Sequence, residues 1–369
     1  MIQQLNQPLQ SLENGNWFKL ICGASYQHLP AIRNLALTYS LAGADCIDVA
    51  ADKAVISAAK QGIAVASKLN SHKLSKPLLM VSLNDGEDPH FRKAQFDSNL
   101  CPVDCARPCE AICPARAIEA SGVVDSLCYG CGRCLPICPQ NLILTRSYVS
   151  QPQVVIPWIS ELGIEAIELH TQVEHYEQFA RLWKAIRPAV KQLKVLAISC
   201  PIADGVIEYL RSLYQLISPL PCPLIWQTDG RPMSGDIGAG TTHAAVKYAQ
   251  QAIAAKLPGY IQLAGGTNSY TVDKLRSFGM LQQKSLNSGK SKKKVAGVAY
   301  GSYARTLLNP IWERLEQDDP RYTAIKPNKT LYFASALEEK SQLLQQAVAL
   351  AQTLVNPLKN HASRNQDYI

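Results

Sequence analysis

The chain has 369 residues, of which 47% are hydrophobic, and a formal net charge of +8. This is enough apolar material for one large domain or two smaller ones. The mild charge has its most obvious local source in Lys290, Ser291, Lys292, Lys293 and Lys294, which read as a solvated loop and not as a nucleic-acid or other anionic-partner patch.

The N-terminus, "MIQQLNQPLQ", has neither the basic-then-apolar order of an export signal nor the Arg/Ser character of a transit peptide. No stretch approaches the ~18 apolar residues of a membrane span. A soluble, cytoplasmic protein is expected, and its twelve cysteines are expected to be metal ligands or reduced thiols, not disulfides.

In chain order, short apolar runs alternate with helix-length amphipathic segments, the βα pattern of a parallel sheet. Strands are predicted at "FKLICGA", "CIDVAA" and "PLLMVSL" before the cysteine-rich region. After it they are predicted at "AIELHT", "VLAISCP", "PLIWQTD", "YIQLAGG" and "VAGVAYG". Eight such units predict an α/β fold of the (β/α)8, TIM-like barrel class, with an open doubly wound sheet as the alternative. The expected boundaries are 16–98 for the first part of the barrel, 99–148 for a dicluster ferredoxin-like insertion, 149–320 for the second part of the barrel, and 321–369 for a C-terminal helix and tail.

Between the third and fourth strands lies "CPVDCARPCEAICP", with Cys101, Cys105, Cys109 and Cys113. Their spacing of four would align them on one helix face, but Pro102 and Pro108 disfavour a continuous helix. "CYGCGRCLPICP" follows, giving Cys128, Cys131, Cys134 and Cys138 in the bacterial ferredoxin order C-x2-C-x2-C-x3-C-P. Both runs end in C-x3-C-P. In such tandem runs the fourth cysteine reaches across to the other cluster. The expected ligand sets are therefore Cys101, Cys105, Cys109 and Cys138 for one [4Fe-4S] cluster, and Cys128, Cys131, Cys134 and Cys113 for a second. The first run departs from the usual pattern in having x3 where x2 is normal. Two zinc sites are the alternative, but zinc needs no crossed fourth ligand. Arg107, Arg116 and Arg133 are expected to balance Asp104, Glu110 and Asp125 nearby, which leaves no acidic docking face. An insertion at this point would stand on the barrel's carboxyl face, where such folds keep their sites.

Strand alternation puts Ile167 and Leu169 on one side of the fourth strand and Glu168 and His170 on the other. By the same parity Asp48, Gln227, Asp229 and Gln262 point inward. These polar groups form either a ligand pocket or a satisfied polar plug. Gly265, Gly266 and Thr267, and later Gly301, Ser302 and Arg305, stand where many barrels bind phosphate. Flavin mononucleotide would fit such loops, although glycines at strand-to-helix turns are also common for conformational reasons. The long loop "TDGRPMSGDIGAGTTHAAV" carries Asp229, Arg231, Asp236 and His243, with Thr241 or Thr242 as a helix cap. His243 is read as a surface residue of the first helical turn. Cys22, Cys46, Cys200 and Cys222 are read as buried inert thiols, with a redox role for Cys22 and Cys200 as the alternative. "ALEEKSQLLQQAVALAQTLV" predicts a final helix packed on the barrel, followed by a disordered tail.

The cysteine runs, together with "LICGASYQHLPAIRNLALTYSLAGADCIDVAAD", "PLLMVSLNDGEDPHF" and "QTDGRPMSGDIGAGTTHAA", resemble the LdpA family of cyanobacterial light-dependent period proteins over nearly the whole chain. The resemblance implies an iron-sulfur protein that senses cellular redox state and conveys it to the circadian clock. It also implies clock-input and clock proteins as partners, including the histidine kinase CikA and KaiA. Apart from the resemblance, a quinone is a further candidate ligand. The resemblance supplies no catalytic residues, and a sensor is favoured over an enzyme. The competing hypothesis is a barrel oxidoreductase whose two clusters feed a flavin or substrate.

Overall fold

A computed structural model describes residues 7–70, 75–113, 115–147, 151–230, 240–281, 294–317 and 336–359. Residues 290–293 of the basic run, Arg231, Asp236 and the tail from 360 lie outside the described residues.

Twelve strands are described: β1 (Trp17–Ile21), β2 (Cys46–Ala50), β3 (Leu78–Asn84), β4 (Arg92–Gln95), β5 (Ile118–Glu119), β6 (Gly122–Val123), β7 (Leu144–Ser147), β8 (Ala166–His170), β9 (Val195–Pro201), β10 (Leu224–Asp229), β11 (Tyr260–Ala264) and β12 (Gly297–Tyr300). Eight of them close into a parallel barrel in the order β1-β12-β11-β10-β9-β8-β3-β2, so all eight strands expected from the sequence are barrel strands. Each is short and buried on both faces, as a parallel sheet with a helical jacket requires.

Period-two alternation sorts the side chains into two cores. Phe18, Leu20, Ile47, Val81, Leu169 and Trp226 face outward into the large core shared with the helices. Trp17, Cys46, Leu78, Met80, Val195 and Ile225 fill the barrel's amino-terminal half. Closure depends on one small residue. Gly297 pairs in register with Trp17, and a Cβ on it would lie 2.2 Å from the Trp17 carbonyl oxygen and 2.7 Å from its Cβ.

The helices follow from local signals. Asp52 caps Lys53–Leu69 by accepting from the Ala54 and Val55 N–H groups, and Gly43, in left-handed conformation, ends Leu29–Ala42. The final helix, Ser341–Lys359, buries Leu343, Ala347, Ala351, Leu354, Val355 and Leu358 and packs on Leu29–Ala42, as expected. Among the described residues no helix is long and apolar enough to cross a membrane.

The cysteine-rich segment runs from β4 to β7, which pair antiparallel, and encloses the small β5-β6 hairpin. It has its own core, in which Ala94, Ala117, Ile118 and Ile143 pack with Cys109, Cys128 and Cys134. It leaves the barrel after β3 and rejoins it before β8, on the carboxyl side.

Candidate iron-sulfur centre and barrel network

The charges that the eight cysteines feel from one another link them into two sets. Cys101 feels the charge of Cys105 and Cys138, and Cys109 that of Cys138. Cys113 instead faces Cys128, while Cys131 and Cys134 face Cys113 and Cys128. Each set contains the last cysteine of the other run. Pro108 starts a single helical turn, Pro108–Ile112, that carries only Cys109, so the prolines do break the first run.

The surroundings favour thiolates held against a cationic group. The Ala117 N–H donates to Cys113 Sγ at 3.2 Å and the Ala94 N–H to Cys128 Sγ at 3.4 Å. Burial raises the Cys138 thiol, but the N–H groups of Leu142, Gln140, Ile143 and Asn141 outweigh it and bring it below its usual range. Burial, and then the charges of Cys131, Cys113 and Cys128, push Cys134 up to about 12. Four thiols so placed ionise together only when a bound cation neutralises them. Cys113, Cys128, Cys131 and Cys134 also line one cavity with Ile118 and Arg133. The donor set fits an iron-sulfur group.

The second set is fastened to the barrel. Gly130, at φ +71°, sits where a Cβ would lie 2.0 Å from the Arg92 carbonyl oxygen. Buried Lys93 donates to the Asp125 carbonyl at 2.6 Å and to Gln27 Oε1 at 2.7 Å. Tyr129 lies under the Arg305 guanidinium, 4.2 Å from ring centroid to Cζ. Arg305 Nη1 in turn donates to the carbonyls of Ile21 at 2.9 Å and Cys22 at 3.1 Å, at the end of β1.

Inside the barrel, a polar layer sits above the apolar one. Trp17 Nε1 donates to Gln262 (2.7 Å), Gln262 Nε2 to Gln227 (2.6 Å), and Gln227 Nε2 to Glu168 Oε1 (2.7 Å). Lys19, fully buried, bonds Glu168 Oε2 and lies 3.5 Å from Asp48 Oδ2, while Asp48 Oδ1 accepts from Ser82 at 2.9 Å. Toward the mouth, His170 Nε2 reaches Glu168 at 2.9 Å and His170 Nδ1 faces Asp88 Oδ2 at 3.7 Å. His90 joins Asp88 through Nδ1 (2.7 Å) and Asp229 through Nε2 (3.2 Å).

These contacts set the charges. Burial raises Asp48 to about 6 despite Lys19. Burial would also raise Glu168, but Lys19 and then His170 bring it down to about 2. Burial alone would lower His170, yet Asp88 and Glu168 raise it to about 9. Asp48, Glu168, His170, Gln227, Asp229 and Gln262 are thus all brought into one network.

The geometry departs from the sequence reading in several places. Arg305 is buried and bonded to β1 carbonyls and to Ser302 Oγ. Thr267 Oγ1 donates to the Ala299 carbonyl and Thr241 Oγ1 to that of Gly266, so Thr241 occupies the cap position of Thr242–Ala254 without capping it. A Cβ on Gly266 would meet the Thr241 carbonyl at 2.5 Å. Gly265 and Gly266 adopt positive φ, and Gly301 and Ser302 open a five-residue helix. The side chains of the two glycine-rich stretches are bonded within the protein. Arg116 pairs with Glu313 outside the insertion at 2.6 Å, and Asp125 with Lys93 and Arg146, while Arg107 and Glu110 pair with each other as expected. His243 is exposed, as expected. Burial pushes Cys22 up to about 12 and raises Cys200 as well, which favours the reading of both as buried thiols kept protonated. Sequence reasoning missed Lys19, Asp88 and His90. Lys19 could have been found as the lone charge in "WFKLI", at inward parity with Trp17.

Comparison with known proteins bears on this arrangement. A family model described as "LdpA Fe-S cluster-binding domain" matches residues 101–149. Another, "Light dependent period A C-terminal domain", matches residues 158–357. The protein called Light dependent period A of Synechococcus elongatus is 50% identical over 352 residues, covering 95% of this chain and 94% of that protein.

The chain belongs to the LdpA family. Among solved structures, this LdpA-family chain is similar to the carboxyl transferase domain of Rhizobium etli pyruvate carboxylase (TM-score 0.42, 10% identity, 93% of this chain and 49% of that one). It is also similar to tryptophan synthase from M. tuberculosis in an aminoacrylate-bound form (TM-score 0.40, 9% identity, 96% and 99% covered). The family's iron-sulfur domain coincides with the cysteine-rich segment on the barrel mouth, and an iron-sulfur cofactor is its assignment.

Proposed function

We propose that this chain is an iron-sulfur redox sensor that conveys cellular redox and light state to the circadian clock. The observation that carries the reading is the pair of crossed thiol sets joined to the barrel through Tyr129 and Arg305. Cys101, Cys105, Cys109 and Cys138 would hold one [4Fe-4S] cluster, and Cys113, Cys128, Cys131 and Cys134 the other. Such clusters supply one-electron chemistry when bound.

The tandem C-x3-C-P endings support cubanes over zinc, because a zinc site needs no fourth ligand from the other run.

The protein's own part is to turn a change of charge at the thiolates into a change of surface. The loop of Cys128 to Cys134 has little freedom, because Gly130 is wedged on Arg92 and Tyr129 is held under Arg305. A shift there pulls on Arg305, and through it on the carbonyls ending β1. Partners, which we take to be clock-input and clock proteins, would read that face. The oxidoreductase reading draws no support from Arg305 Nη1 or Thr267 Oγ1, which donate to protein carbonyls.

Anaerobic purification with iron, sulfide and flavin quantification, followed by EPR of the reduced protein, tests this. About eight iron atoms per chain with two interacting reduced signals is the expected result. Stoichiometric flavin, or iron absent from fully folded protein, would sink it.

A further inference from the structure

Asp88, His90 and His170 meet at the carboxyl mouth of the barrel, and their ligand atoms all lie within 4.8 Å of one another. Asp88 is in the centre. His90 Nδ1 stands 2.7 Å from Asp88 Oδ1, and His170 Nδ1 stands 3.7 Å from Asp88 Oδ2. The opposite ring nitrogen of each histidine faces a further carboxylate: His170 Nε2 is 2.9 Å from Glu168, and His90 Nε2 is 3.2 Å from Asp229.

We propose that Asp88, His90 and His170 bind a divalent first-row transition metal ion, separate from the cysteine clusters. Two imidazoles and one carboxylate are the donor set of facial-triad iron and of open zinc sites. Metal-nitrogen and metal-oxygen bonds of about 2.0–2.2 Å place neighbouring ligand atoms about 3 to 3.5 Å apart, close to the separations here. The backing carboxylates complete the argument. A ligating histidine almost always gives its other N–H to a carboxylate or carbonyl, which fixes its tautomer and orientation. Both histidines do so here, and Glu168 is itself held by Lys19 and Gln227. The Phe91 ring stands edge-on to His170 at 5.2 Å and limits its rotation. His90 keeps 22% of its side chain exposed, which leaves a path for the ion.

One feature separates this from a network of protonated histidines around carboxylates. Both rings turn the same nitrogen, Nδ1, to one shared carboxylate: His90 from the turn that Asp88 caps, where Asp88 Oδ1 also accepts the His90 N–H at 2.7 Å, and His170 from the distant end of β8.

The test uses the full chain with its iron-sulfur centres loaded anaerobically, so that the cysteines are occupied. The protein is exposed to zinc, passed through a weak chelating resin, and examined for retained zinc and by X-ray absorption at the zinc edge. About one zinc per chain with a nitrogen/oxygen shell near 2.0–2.1 Å is expected. His90→Gln should abolish retention, and Glu168→Gln should weaken binding about 10- to 100-fold with iron content unchanged. Because Glu168→Gln also touches Lys19, His90→Gln, at the partly exposed position, is the deciding variant. A sulfur shell near 2.3 Å, no zinc retained by the wild type, or retention unchanged in His90→Gln would each overturn the proposal.

Discussion

Arg305 lies over the ring of Tyr129 at 4.2 Å and at the same time donates to the carbonyls of Ile21 and Cys22. One side chain from the last part of the barrel therefore ties the Cys128–Cys131 loop to the first strand. Arg305→Leu leaves both carbonyls without this donor and removes a cation-π contact. It should destabilise the protein by about 2–4 kcal/mol, measured by urea unfolding. Iron should also be lost faster from the set containing Cys128. Unchanged stability would show that the tie carries no load.

Gly130 has the narrowest tolerance in the insertion, with positive φ and a Cβ position 2.0 Å from the Arg92 carbonyl oxygen. Gly130→Ala should displace the loop between Cys128 and Cys131 and cut iron from about eight to about four atoms per chain. Iron and sulfide assays on anaerobic protein decide this, and full iron content would refute it.

The crossing of ligands makes a prediction that sequence order would reverse. Cys113→Ser should perturb the same EPR signal as Cys131→Ser, and Cys138→Ser the same signal as Cys105→Ser. If signals instead group by run, the sets drawn from thiol proximity are wrong.

Lys19 is the only described cation bonded to Glu168 from β1, and both are fully buried. Lys19→Met removes the cation that two buried carboxylates share, leaving Glu168 to His170 and Gln227 and Asp48 to Ser82, and should cost about 3–5 kcal/mol. Adding Glu168→Gln removes one of those charges, so the double variant should be more stable than Lys19→Met alone. Chemical denaturation of the three proteins measures the difference.

His28 is buried and its pKa falls to about 4 from 6.5 through desolvation. A histidine with a depressed folded pKa is neutral in the fold, so the unfolded chain takes up a proton first. Its contribution is present above pH 6.5 and lost as pH falls toward 4, with a slope approaching about 1.4 kcal/mol per pH unit. His28→Gln should flatten the stability curve in that window. An unchanged slope would assign the acid sensitivity elsewhere.

The sequence by itself determined the barrel strands and the two cysteine runs, because both are written in short-range spacing. "AIELH" places Glu168 and His170 inward by alternation alone, and C-x3-C-P marks the cysteine that leaves its own run in the proposed ligand sets. The partners of those residues were decided only by the tertiary structure. Lys19 and Glu168 are 149 positions apart, and Arg305 and Cys22 are 283 apart. Closing the barrel brings β1 near β8, and the return of the chain after β3 drops Asp88 and His90 onto His170. No local pattern encodes a contact made by ring closure. The same reason governs the glycine-rich stretches: "GGTN" and "GSYAR" resemble phosphate loops in sequence, but Thr267 and Arg305 find carbonyl partners that only the closed barrel supplies.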